Sequence, residues 1–259
     1  HNRLERPAGQ AMILLYTDFG WQGPYVGEMH AAIRSRLPAA PIVDLMHDAP
    51  AFDPISAGIL LAALSRQWRE PVVVVAVVDP GVGTPRLPLA VRVGPHWLVG
   101  PDNGLLLPTA DRLSARYEVE AEWYVIEWRP DDLSASFHGR DLFSPVAVRV
   151  WQGDTSALSP LSKAPTGEPQ TAGIGKIIYA DRYGNLVTGI PAAAGGRVTA
   201  GHQQFGPVHT FADAAPGQAF WYNNSMGLIE IAVNQGSARD ILGLSPGDAV
   251  SFQPIQGAS

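Results

Sequence analysis

Cysteine is absent from the 259 residues. That excludes disulfides and thiolate chemistry, and it fits a reducing compartment, so the expected location is cytoplasmic. No apolar run approaches the roughly 18 residues that a membrane-spanning helix needs. Basic runs are missing too, and the net charge is −6, which disfavours nucleic acid as a partner. The first ten residues, HNRLERPAGQ, carry no initiator Met and no hydrophobic signal core; they read as a disordered start. The signatures GxGxxG, Walker A, GxSxG and HExxH do not occur, which argues against dinucleotide binding, P-loop chemistry, a serine hydrolase and a zincin. Asp44 with His47, and His138 with Asp141, have i,i+3 spacing but complete no ligand set, so no metal is expected. The TDFG at residues 17–20 lacks the glycine-rich and catalytic loops of a kinase.

What is present is a large apolar fraction, 46% of the chain, enough for a substantial core. The 23 prolines and 27 glycines then imply many short loops rather than disorder. The most informative stretch is VVVVAVVDPGVGTPR, residues 72–86. Seven β-favouring residues in a row read as a strand covered on both faces. Asp79-Pro80-Gly81 stops it, because proline lacks an N–H and glycine permits angles that other residues avoid. A carboxylate is thereby set on a loop at the carboxyl end of a core strand, the edge where open α/β sheets bind ligands.

Upstream, residues 12–16 read as a strand, 24–37 as a helix with apolar positions at helical spacing, and 41–45 as a second strand. Asp53-Pro54 is a strong helix start. The β-α-β-α-β order implies a parallel sheet with right-handed crossovers. Strands at 89–93 and 97–99 and helices near 105–113 and 140–151 continue the region. Residues 154–172 read as a linker, rich in Ser, Pro, Thr and Gly and without periodicity. Beyond it KIIYA, LVTGI, FWY and LIEIAV are short strands between turns, as in a small barrel or sandwich. The expected organisation is an α/β N-terminal domain with a mainly parallel sheet at 11–153, and a smaller all-β, barrel-like domain at 173–259.

Four clusters could carry chemistry. Asp18, beside Phe19, suits a ribose diol, or else is a helix cap or turn residue. Asp79 and Arg86 can fold together around the glycine turn, either as working groups or as a salt bridge fixing the loop. His138 titrates near neutrality and is followed by Gly139, which leaves room for a ligand; the plainer reading is a surface loop histidine, with Arg140 and Asp141 as structural partners. Asp181, Tyr183 and Asn185 can hold a zwitterion or a base edge, or simply make a hairpin turn. The run Asn223 to Gly227, with Asn224, Ser225 and Met226, carries the same two readings.

Taken together and in order, TDFG, VDLMHDAP, VVDPGVGTPR, VGPDNG, FHGRDLFSP, DRYGNLVTGI and NNSMGLIEIAVNQGSA resemble the S-adenosylmethionine hydroxide adenosyltransferases, relatives of the fluorinase and chlorinase. The resemblance covers residues 12–252. It implies hydrolysis of S-adenosyl-L-methionine to adenosine and L-methionine without a cofactor. It implies a homotrimer with active sites between the N-terminal domain of one subunit and the C-terminal domain of its neighbour. It implies a water-binding triad of Asp79, Arg86 and His138. By the same resemblance Asp18 binds ribose, Asp181 and Asn185 the methionine side, and Ser225 the adenine side. Asp79 and His138-Gly139 stand where the fluorinase has Tyr and Tyr-Ser, which favours water over halide. A halogenase and a non-catalytic nucleoside-binding protein are the alternatives. Gly189, where the family usually has Asn, reads as loosening a turn.

Overall fold

The computed structural model describes residues 11–170 and 173–255; the expectation for the first ten residues lies outside them. The chain divides into two compact units, residues 1–169 and 170–259.

In the first unit the elements run β1 (Met12–Thr17), α1 (Tyr25–Arg34), β2 (Ile42–Met46), α2 (Pro54–Leu64), β3 (Val72–Val77), β4 (Pro88–Val93), β5 (His96–Pro101), α3 (Leu107–Tyr117), β6 (Glu122–Ile126), α4 (Ser144–Trp151) and β7 (Leu158–Pro160). One seven-stranded sheet has the order β2-β1-β3-β5-β4-β6-β7. Strands β2, β1, β3 and β5 are parallel neighbours. The hairpin β4–β5, strand β6 and the edge strand β7 pair antiparallel.

The unbroken apolar run of β3 follows from its central place. Val73, Val75 and Val77 face a core closed by Met29 and Ile33 of α1 and Val146 of α4. Val72, Val74 and Ala76 face the opposite core, closed by Leu61 of α2 and Leu113 of α3. Both faces are covered, so period-2 alternation vanishes. Asp53 caps α2, accepting from the Ser56 amide at 3.0 Å. Gly100 is required where β5 passes β3, since a Cβ there would lie 2.4 Å from the Ala76 carbonyl oxygen.

The stretch 154–172 differs from the linker expected. Its residues 158–160 form β7, paired with β6, and the boundary between the units falls at 169/170. A three-residue edge strand is too short to show alternation, and proline is tolerated there because an edge N–H need not be paired.

The second unit comprises β8 (Ile177–Ala180), β9 (Leu186–Pro191), β10 (Gly196–Ala200), β11 (Gln203–Phe205), β12 (Ala219–Asn223), β13 (Leu228–Val233), α5 (Ala238–Leu242) and β14 (Val250–Pro254). Two antiparallel sheets, β11-β10-β14 and β12-β13-β9-β8, share one core: Val198, Phe205 and Val250 from the first meet Ile177, Trp221 and Ile231 from the second. A bridge between Lys176 and Ala249 links them, giving the barrel-like form. Gly189 does not loosen a turn. It lies inside β9, where a Cβ would sit 2.4 Å from Ile174 Cγ1 and 2.8 Å from the Ile174 carbonyl oxygen, so close backbone approach demands glycine.

Candidate active site

Asp79 follows β3 after one residue, Val78, whose carbonyl is held by the Asn103 side-chain amide at 2.9 Å. The loop then turns through Gly83, in the left-handed region at φ +78°, where a Cβ would lie 2.6 Å from the Ala135 carbonyl oxygen. Glycine therefore lets the 79–86 loop press against the segment leading to His138. His138 itself precedes a π-helical turn over Gly139–Phe143 that runs on into α4; such turns are frequent at functional sites.

Three side chains meet there. Arg86 Nε donates to Asp79 Oδ1 at 3.1 Å and Oδ2 at 3.0 Å, and Arg86 Nη2 donates to Asp79 Oδ2. Arg86 Nη2 also lies 2.9 Å from His138 Nδ1. The pair is nearly closed to solvent, with Arg86 and Asp79 side chains 9% and 4% exposed. The guanidinium carbon lies 5.4 Å from the centre of the Phe143 ring, a cation–π contact.

The electrostatics assign the histidine's proton. A guanidinium has only donors, so His138 Nδ1 accepts and the neutral ring carries its proton on Nε2. Burial first, and the neighbouring Arg86 second, hold the His138 pKa below its ordinary value, which keeps this tautomer neutral.

A cavity of about 390 Å³ opens beside the triad, with Asp18, Phe19, Asp79 and His138 in its wall, joined by Tyr25, Phe52 and Phe137. Burial raises the Asp18 pKa, opposed by the hydrogen bond from the Phe52 amide, which Asp18 Oδ2 accepts at 3.2 Å. Gly139 is tightly framed: a Cβ would lie 3.3 Å from Phe137 and 3.4 Å from Phe19. Of this aromatic wall, Phe137 belongs to the sequence cluster of His138, whereas Tyr25 and Phe52 were not expected. Each of those two rings stands alone in sequence, and only the fold collects them. Among the described residues no group of three or more His, Asp or Glu is arranged to hold a metal.

The match to known proteins covers the chain. The N-terminal and C-terminal domain models of the SAM hydroxide adenosyltransferases fit residues 13–159 and 175–251. The chain belongs to this family. The chain is 35% identical to the (R)-S-adenosyl-L-methionine hydrolase of Salinispora tropica, over 90% of this chain and 94% of that protein. It is also 35% identical to the protein of the same name from Thermus thermophilus, over 91% and 96%. In fold it resembles an uncharacterized conserved protein from Thermotoga maritima, with a TM-score of 0.81 and 30% identity, covering 93% of this chain and 100% of that one.

The remaining candidate residues of this adenosyltransferase lie in the second unit, in two groups. Asp181, Tyr183 and Asn185 line a cavity of about 620 Å³, with Phe211 and Tyr222. Asp181 accepts from the Tyr183 amide at 2.8 Å, the Asn185 amide at 2.9 Å and Asn185 Nδ2 at 2.9 Å, which is turn bonding and leaves one of a carboxylate's roughly four acceptor positions for another partner. Tyr183 is 76% exposed. Asn224, Ser225 and Met226 sit apart from that cavity's lining, in the β12–β13 turn. Asn224 Oδ1 accepts from the Met226 and Leu228 amides, both at 3.0 Å, and its Nδ2 donates to Glu230 at 2.8 Å. Glu230 is buried and also accepts from the Tyr222 hydroxyl; burial raises its pKa. As for Arg140, it pairs with Asp141 and with Glu28, which fits a structural role.

Proposed function

We propose that this chain hydrolyses S-adenosyl-L-methionine to adenosine and L-methionine by attack of water at C5′, and that the substrate is the (R)-sulfonium form named for its relatives. One observation carries the reading: the continuous Asp79–Arg86–His138 hydrogen-bonded chain in the wall of a cavity that also presents Asp18. Water lies between Asp79 and His138. The His138 Nε2–H donates to it, and Asp79 accepts from it. Methionine leaves as a neutral thioether while the C5′–O bond forms, so no metal, cofactor or covalent intermediate is needed.

Asp79 takes the proton. The neutral His138 has no lone pair to spare, because its Nδ1 already accepts from Arg86. An oxygen that has bonded to C5′ before losing its proton is an oxonium, far more acidic than a carboxylic acid, so even an ion-paired carboxylate accepts. Arg86 spreads the charge and aims both partners. Positioned proton transfer contributes about 10²–10⁴-fold, and orientation in a shaped cavity supplies much of the rest.

Asp18 receives the ribose diol, with Phe19 beside it. Asp181, Tyr183 and Asn185 receive the methionine end, where a carboxylate suits an ammonium group. Ser225 and Met226 meet the adenine side on a loop shaped by Asn224. The working assembly is a homotrimer and its setting cytoplasmic. A halide in the water's place would face the Asp79 carboxylate at close range, which is unfavourable in a low dielectric.

Incubation with each sulfonium epimer in ¹⁸O-labelled water tests the reading. Adenosine carrying the label in its 5′ hydroxyl, formed faster from the (R) epimer and unaccompanied by a 5′-chloro product in added chloride, is the expected result. No adenosine above the uncatalysed rate sinks it.

A further inference from the structure

Behind Asp18 runs a second polar chain that takes no part in the triad. Its members lie at the end of β1 (Thr17), in β2 (Asp44), just after β2 (His47) and on α1 (His30). Thr17 Oγ1 accepts from the Phe19 amide at 3.2 Å and lies 2.8 Å from His47 Nδ1. His47 Nε2 lies 2.9 Å from Asp44 Oδ1, and the same oxygen lies 2.8 Å from His30 Nε2. Thr17 and His47 are fully buried. The direction of each bond follows from chemistry. Asp44 only accepts, and its pKa lies below the usual carboxylate value because the histidine hydrogen bonds outweigh its burial. His47 therefore gives its Nε2 proton to Asp44, and in the neutral ring its Nδ1 accepts from the Thr17 hydroxyl. The hydroxyl's lone pair is left for the Phe19 amide.

The backbone repeats the clamp. The Gly20 amide donates to the His47 carbonyl at 2.6 Å, and the Ala49 amide to the Thr17 carbonyl at 3.1 Å. Trp21 closes over the His47 ring at 4.8 Å, edge to face. Residues 17–20 are thus tied from both sides of Asp18, and Asp18 and Phe19 are the part of that turn that faces the cavity.

We propose that Thr17, His47 and Asp44 are positioning residues that hold the Asp18 carboxylate in place for the ribose diol. They touch no reacting atom, and they act through the turn they fix. The inference rests on the assignment of Asp18 to ribose made above. It makes ribose recognition, rather than water activation, the step that depends on this chain.

The test compares adenosine with 2′,3′-dideoxyadenosine, by calorimetry on the full-length protein. Thr17→Val removes the hydroxyl and keeps the shape. It is expected to weaken adenosine about tenfold, the scale of one lost buried hydrogen bond, while leaving the dideoxy ligand within about twofold. KM for the sulfonium rises and kcat changes little, since the triad is intact. Thr17→Ser restores wild-type affinity. In an Asp18→Ala background, Thr17→Val adds no further loss, the signature of action through Asp18. Asp44→Ala, which leaves Thr17 in place but removes the acceptor of His47 Nε2, shows the same ligand dependence and serves if Thr17→Val does not fold. Equal weakening of both nucleosides, weakening of neither, or an undiminished loss in the Asp18→Ala background overturns the proposal. Wild-type protein that binds the two nucleosides equally would instead remove the ribose role of Asp18 itself.

Discussion

Arg86 serves two acceptors at once, a carboxylate and an imidazole, and a lysine cannot do the same from a single point charge. Arg86→Lys should therefore lower kcat about 100-fold or more with a smaller change in KM, measured by adenosine release. Asp79→Asn keeps the shape but cannot take a proton, and the same loss in kcat with retained adenosine binding is expected. The pH profile reports on His138. Burial and Arg86 hold its pKa below its ordinary value of 6.5, and in the proposed reaction the neutral ring is the working form. The acid limb of kcat/KM should lie below pH 6.5 and move upward in Arg86→Ala, where the repelling cation is gone. A limb that stays in place in that variant would separate His138 from the reaction. These three residues were legible as candidates because each sits in a local pattern that needs explaining: a carboxylate ending a buried strand, an arginine after a glycine turn, a histidine before a glycine. Tyr25 and Phe52 were not, since a lone aromatic carries no local sign of facing a cavity.

The elements that place the site are those with the strongest local signals. Strand β3 was readable from its unbroken valines, and α2 from Asp53-Pro54, because burial on two faces and helix capping leave marks within a few residues. Strands β6, β7, β10, β11 and β14 were missed or read as linker; they are short, at or near sheet edges, and owe their pairing to partners distant in sequence. Tight packing gives a direct test at this scale. Gly100→Ala drives a methyl group against the Ala76 carbonyl, one strand away from the Asp79 turn. A loss of about 1–3 kcal/mol in denaturant unfolding is expected. Activity should fall beyond what the unfolded fraction explains, because β3 carries Asp79. Unchanged stability would mean that β5 and β3 separate more easily than their register suggests.

The whole molecule joins two units with separate cores, and a buried histidine ties its stability to pH. Burial pushes His96 down to about 4 from 6.5; its Nδ1 accepts from the Val72 amide and its Nε2 meets the Tyr117 hydroxyl. Between those two values the unfolded chain binds the proton and the folded chain does not, so stability rises with pH across that interval. The His96 contribution is complete above about pH 6.5 and is lost as pH falls toward 4. Urea unfolding followed from pH 7 to pH 4 should show this decline, and His96→Gln should flatten it. At the same scale, light scattering on the eluting protein should give the mass of three chains; a monomer that is fully active would exclude the trimer.

The order of seven motifs and the texture of the apolar runs were enough, from sequence alone, to determine the family and the α/β and all-β character of the two regions, and the resemblance named Asp79, Arg86 and His138 as candidates. Local chemistry writes those features into neighbouring residues. Only the tertiary structure decided which atoms meet: that Arg86 bridges Asp79 and His138, that the histidine proton rests on Nε2, and that Thr17, His47 and Asp44 stand behind Asp18. Those pairings join residues up to 52 positions apart, and hydrogen-bond direction and burial depend on neighbours that come together only when the sheet closes.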